Sequence, residues 1–286
     1  MTVLIILGAV IGHFLRRITP RVMGMKQRSL PFRFPWPELA GAVVFPLVGW
    51  VRGVELMEWP YFLFVSLLLL ISTTDFLTKY ISYQICLGGA IAGVLSAAIF
   101  PGSILDFPGQ GKIPGWFGIL WDDAVTASAV VAVLGAVTGF LQMELISRIF
   151  RPLVNFDVLG RGDALLMMMA GAFLGPNMVL FALFPGCLIG LLMGTIWKLV
   201  HGTPHFPFGP ALAMGSLVML LWSDRVLASI TAFHQGLYQL PPAALLLFSL
   251  ALVGVLVFLI FRLKRKSADY EQMIEDDYRN IDEGLE

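Results

Sequence analysis

Two aspartates in this chain stand where a carboxylate is costly. Asp75 sits near the end of the apolar stretch 70-LISTTDFLTKYIS-82, and Asp163 opens the run 159-LGRGDALLMMMAGAFLG-175. Ionisable groups at membrane depth usually line a wet site rather than face lipid. Two carboxylates brought together do not easily both ionise; they share a proton. The ionised one can then act as general base on a water, and the protonated one as general acid toward a carbonyl oxygen. That is the aspartic-protease arrangement, and it calls for no metal and no cofactor. Gly160 and Gly162, just before Asp163, allow a tight bend at the helix start and the close approach of a substrate strand.

Each acid also has a plainer reading. Asp163 could be a helix N-cap, where Asp is favoured. Asp75 could pair with Lys79 four residues on. For both plain readings to hold, the two acids would have to reach the same depth by chance. The tripeptide Arg161-Gly162-Asp163 looks like an adhesion motif, but it falls at a helix start on the wrong side of the membrane for that role.

Other chemistry-bearing residues are weaker candidates. His13 and Glu38 fall near the inner ends of the first two apolar runs and could pair or help form a substrate groove with Ser82 and Pro210. Arg161 is read as meeting lipid phosphate, and Asp157 as a loop acid without a glycine frame. Glu144 and Arg148 have helical i,i+4 spacing. His201 and His205 share that spacing, but Pro204 between them argues against one metal-binding helix face. Met167 to Met169 read as packing. Cys86 and Cys187 lie in apolar runs and read as small buried hydrophobes; with no CxxC pair, no zinc site is argued.

The elements that must position these residues are membrane helices. The chain has 286 residues, 58% hydrophobic and 13% charged, where a soluble domain carries about 25% charged; its mean hydropathy is +0.83. The formal net charge is zero, which gives no case for a nucleic-acid partner. A span needs about 20 mostly apolar residues. Nine are expected, near 2–18, 37–53, 59–76, 82–100, 123–147, 162–177, 179–200, 208–224 and 242–262. Gly175-Pro176-Asn177 splits the long run from Ala164 to Val200 into a helical hairpin. Positive charges follow the first run rather than precede it, so no cleavable signal peptide is expected.

Lys and Arg in short loops mark the cytoplasmic side. Arg16, Arg17, Arg21, Lys26, Arg28 and Arg33 fall in the first loop and Lys79 in the third. Arg148, Arg151 and Arg161 fall in the fifth, Lys198 in the seventh, and Arg262, Lys264, Arg265 and Lys266 after the ninth span. The other loops carry Asp106, Asp122 and Asp123, or Asp224 with Arg225. The expectation is an all-α polytopic bundle, N-terminus outside and C-terminus cytoplasmic. Residues 1–230 would form the membrane domain, 231–266 an extra transmembrane helix and 267–286 an acidic, solvated tail. Asp75 and Asp163 then lie at the same inner depth.

At these residues the sequence resembles the prepilin peptidases, the type IV leader peptidases of the GxGD aspartic class. Five blocks occur in family order. 7-LGAVIGHFLRRITPRV-22 is similar to the opening "GxxxGSFxNVxxxRxP", and 36-WPELAGAVVF-45 to "YPxxELxxGxxF", with Glu38 at the Glu position. Asp75 followed by Ile81-Ser82 resembles "Dxxxxx(I/L)P". 159-LGRGDALLMMMAGAFLG-175 resembles "GxGDxKLxxxxGxxLG", and 207-PFGPALAMGSL-217 resembles "PFGPxLxxG". The resemblance implies an endopeptidase of the bacterial inner membrane. It would cut the basic leader from prepilins or pilin-like secretion subunits at the cytoplasmic face, with Asp75 and Asp163 as the catalytic pair. The implied partners are that substrate and the bilayer.

The sequence departs from the pattern at several places. Ser82 stands for the family's Pro, and Leu165 for the Lys after the second Asp. Arg16 or a neighbour stands for the opening Asn, and His13 is near the family's Ser. The first loop lacks the four-cysteine zinc insert linked to N-methylation, so methyltransferase activity is expected to be absent. Two alternatives stay open: a presenilin-like or signal-peptide-peptidase-like protease, which shares GxGD and a Pro-Ala-Leu tripeptide, here Pro210-Ala211-Leu212; and a non-catalytic relative serving as scaffold or transporter.

Overall fold

The computed structural model describes residues 1–22, 35–101, 103–104, 123–154, 160–201 and 207–238, with Leu250, Gly254 and Phe258 beyond them. Among the described residues the regular structure is entirely helical. Eight α-helices follow in order: α1 (Thr2–Val22), α2 (Trp36–Val51), α3 (Trp59–Thr78), α4 (Tyr83–Ile99), α5 (Ala124–Val154), α6 (Arg161–Leu174), α7 (Pro176–His201) and α8 (Gly209–Tyr238). A 3₁₀ turn, Leu56–Glu58, leads into α3. By length and composition, four stretches among the described residues can cross a bilayer: Thr2–Thr19, Leu56–Thr78, Ala124–Ile149 and Pro176–Val200. Helices α2 and α4 are shorter but apolar. With large apolar side chains exposed along α4, α5 and α7, such as Leu95, Leu141 and Leu191, this is a membrane helix bundle.

The expected hairpin forms where the sequence placed it. Gly175 takes a left-handed φ of 85°, its N–H donates to the Gly171 carbonyl at 2.8 Å, and Pro176 starts α7. Only glycine adopts that turn without strain. Several helices run past their expected ends, two of them furthest. α5 continues past 147 to Val154. α8 passes its expected end at 224 through a kink at Trp222 and continues to Tyr238. Of the expected ninth span only Leu250, Gly254 and Phe258 are described, helical and exposed; the rest of it and the acidic tail lie outside the described residues.

The chain divides into two compact units: Met1–Met143 with Arg161–Ser223, and Glu144–Gly160 with Asp224–Glu286. In the second unit Arg148 Nε donates to Glu144 Oε1 at 3.1 Å, the expected i,i+4 pair. The first unit holds the core. Its helices approach closely through small residues, the usual device where lipid supplies no hydrophobic drive. A Cβ at Gly135 or Gly139 on α5 would collide with the carbonyls of Gly171 or Met167 on α6. Gly8 and Gly12 on α1 stand likewise against Gly41 and Pro37 on α2. Met167 and Met169 are fully buried in this core, so these methionines are packing residues. Cys86 is buried as expected, but Cys187 is exposed on α7, where the helix presents an apolar face.

Candidate active site

The two acid-bearing helices are held in register far from the acids. Phe64 of α3 stacks on Phe173 of α6, with ring centroids 4.8 Å apart and both rings buried. The chain runs from Phe64 down to Asp75 and, in the opposite sense, from Asp163 up to Phe173. At the α-helical rise those separations are about 17 and 15 Å, so antiparallel helices pinned at the ring pair bring the acids to nearly one level. Both carboxylates are withdrawn from solvent: Asp75 is 5% exposed and Asp163 9%.

Asp75 lies in the last turn of α3. That helix ends on Lys79 in the left-handed conformation (φ 54°), whose N–H returns to the Asp75 carbonyl at 2.7 Å. The Asp75 side chain does not pair with Lys79, which is exposed. Its Oδ2 instead accepts a hydrogen bond from the backbone N–H of Gly209 at 3.0 Å. Gly209 is the first residue of α8, and buried Pro210 follows it in the first turn. The opening turn is closed by the N–H groups of Ala211 and Leu212 on the Phe208 carbonyl. Asp75 thus caps a distant helix from outside, meeting its partially positive N-terminus. Sequence reasoning reached Pro210 but not Gly209, because a backbone N–H leaves no side-chain signature. The only available signal was the Pro-Phe-Gly-Pro run that marks a helix start.

Asp163 is the third residue of α6 rather than its N-cap. Gly160 stands exposed just ahead of the helix. Gly162 faces the loop after α3: a Cβ there would lie 2.8 Å from Ile81 Cβ. The space beside Gly162 is therefore filled by Ile81, where the sequence reading assigned it to a substrate strand. Ser82, half-buried, precedes α4 in extended conformation. Leu165, at the family's Lys position, is half-buried in α6.

His13 and Glu38 come together, with Arg16. Glu38 Oε1 accepts from Arg16 Nη1 at 3.2 Å and lies 3.4 Å from His13 Nδ1, while its Oε2 is buried with no partner. Asp157 and His205 lie outside the described residues. No group of three or more metal-ligating side chains occurs among the described residues. An apolar groove of about 400 Å³, lined by residues such as Ala90, Val137 and Met168, includes neither carboxylate.

The model of the type IV leader peptidase family matches residues 62–195, a stretch that contains both aspartates. Curated relatives are proteins named prepilin leader peptidase/N-methyltransferase. That of Dickeya chrysanthemi is 31% identical over 262 residues, 76% of this chain and 91% of its own length. That of Xanthomonas campestris pv. campestris is 27% identical over 275 residues, 79% of this chain and 93% of its own. The match to the Neisseria gonorrhoeae protein, 28% over 204 residues, covers 70% of this chain but only 61% of that relative. No solved structure matches. The set of four cysteines that would hold the family's zinc is absent, since the whole chain has two, Cys86 and Cys187, and the residues present do not fit that ion. From the length and identity of the Dickeya match, the chain belongs to the type IV leader peptidase family.

Proposed function

We propose that this chain is a membrane aspartic endopeptidase. It removes the basic leader of prepilins or pilin-like subunits at the cytoplasmic face of the bacterial inner membrane. One observation carries the reading: two buried carboxylates close α3 and open α6, and those helices meet both at the Phe64–Phe173 stack and, near the acids, through Ile81 beside Gly162. The names of the relatives support prepilin as the substrate class.

The chemistry divides between the acids. Asp75 Oδ2 accepts the Gly209 N–H, which fixes the orientation of this carboxyl group, and Asp75 is assigned the part of the base. It takes a proton from water as the water oxygen attacks the scissile carbonyl carbon. Asp163, holding the shared proton, gives it to the carbonyl oxygen. The tetrahedral intermediate collapses as the amide nitrogen takes the proton from Asp75 and leaves, and a hydroxyl of the intermediate returns a proton to Asp163. The substrate must be extended there, because a helix hides its carbonyls. With no cysteine set for zinc, the new N-terminus leaves unmethylated.

The test is co-expression with a prepilin. Asp75→Asn and Asp163→Asn should each lower leader cleavage by at least about a hundredfold, the scale of general acid–base catalysis. Mass spectrometry of the wild-type product should show a free α-amine. Full cleavage by either variant rejects the aspartate pair. Cleavage of signal-peptide remnants in preference to prepilin would move the chain toward the presenilin-like reading.

A further inference from the structure

We propose that Ile81 is a positioning residue whose side chain sets the spacing of the two acid-bearing segments. The inference rests on the peptidase reading for its kinetic test. Ile81 is 7% exposed and lies in the short connection between α3 and α4. Its side chain meets both glycines beside the acids. A Cβ at Gly162, next to Asp163, would lie 2.8 Å from Ile81 Cβ; a Cβ at Gly209, the donor to Asp75, would lie 3.1 Å from Ile81 Cδ1. The two ends of one isoleucine thus touch the backbone that carries one acid and the backbone that holds the other.

The connection is built to hold that side chain still. Lys79 takes the left-handed conformation at the end of α3. The Thr78 hydroxyl accepts the Tyr80 N–H at 3.3 Å and lies 2.7 Å from the Thr74 carbonyl, to which it donates. Ser82 then begins the approach to α4. A β-branched side chain adds its own stiffness at χ1. Its contact with Gly162 is made through Cβ, next to the backbone, so rotation of the side chain does not relieve it.

The two glycines differ in what a methyl group would strike first. At Gly162 the three nearest atoms all belong to Ile81. At Gly209 the nearest is Asp75 Oδ2, at 2.5 Å, ahead of Ile81. Ile81→Ala keeps the Cβ that stands nearest to Gly162, whereas Ile81→Gly removes it and so makes room at one position and not the other. The experiment measures kcat and KM for prepilin cleavage, together with the thermal midpoint, for the full chain carrying Gly162→Ala, Gly209→Ala, Ile81→Gly and the two double variants with Ile81→Gly. Gly162→Ala is expected to lower kcat by at least about tenfold with KM within about twofold, because a displacement near 1 Å at an acid acts on the chemical step. Adding Ile81→Gly should bring kcat and midpoint back to within about threefold and a few degrees of Ile81→Gly alone, a coupling outside additive behaviour. Gly209→Ala should gain nothing from Ile81→Gly, and Ile81→Val should cost less than Ile81→Gly. Additive losses at Gly162, equal rescue at both glycines, or wild-type kcat in Ile81→Gly overturns the proposal. If the wild-type chain cleaves no prepilin, the peptidase reading falls; the thermal series still decides the steric coupling.

Discussion

Asp75 is tied to its surroundings through one oxygen, and this separates its structural part from its chemical part. Asn at this position keeps an acceptor for the Gly209 N–H, whereas Ala leaves that buried donor without a partner, at a cost of about 1–3 kcal/mol. Asp75→Asn should therefore melt near the wild type and Asp75→Ala several degrees lower, in detergent scans of the purified chain; coincident melting of the two variants would deny the cap a structural role. At this scale the sequence disclosed side chains and hid backbone. Asp75 and Asp163 announced themselves by standing in apolar runs, and the Glu38 pairing with His13 followed from like depth. Gly209 and Ile81 did not, since one acts through an N–H and the other through its shape.

The helices find their neighbours through glycines four residues apart, and that pattern was present in the chain without saying which helix each would meet. Gly135 and Gly139 both press α5 onto α6, the helix that carries Asp163, while Gly88 on α4 is exposed with open space around its Cα. The contrast yields a prediction within one residue type. Gly139→Ala should lower stability by about 2 kcal/mol or more, because backbone must move to clear the Met167 carbonyl. Gly88→Ala should leave it unchanged or raise it by about 0.5–1 kcal/mol through the better helix propensity of alanine. Unfolding in mixed micelles reads both, and similar midpoints for the two would remove the packing argument. Element boundaries were legible where glycine and proline punctuate, as at Gly175-Pro176. They were not legible at the ends of α5 and α8. There hydropathy stops but polar helix continues, because intrahelical hydrogen bonds do not depend on the apolar run that marks a span.

Across the whole chain, the arrangement of charge adds a constraint that the helices alone do not supply. Register between α3 and α6 brings the acids to one level of the bundle, but it does not say which side of the bilayer that level faces. The loop charges do. Arg16, Arg17, Lys79, Arg161 and Lys198 all fall at the end of the bundle where α3 stops and α6 starts, if successive spans alternate. The excess of Lys and Arg marks the cytoplasmic side. After the ninth apolar run, Arg262, Lys264, Arg265 and Lys266 lead us to propose that the C-terminus lies on that same side. Fusions after Glu286 test this directly. A green fluorescent protein fused there should fluoresce, and an alkaline phosphatase fused there should be inactive; the phosphatase inserted between α4 and α5 should be active. The reverse pattern would turn Asp75 and Asp163 away from the cytoplasm. A substrate that still carries its basic leader on the cytoplasmic side could not then reach them, and the proposed cleavage would have no route.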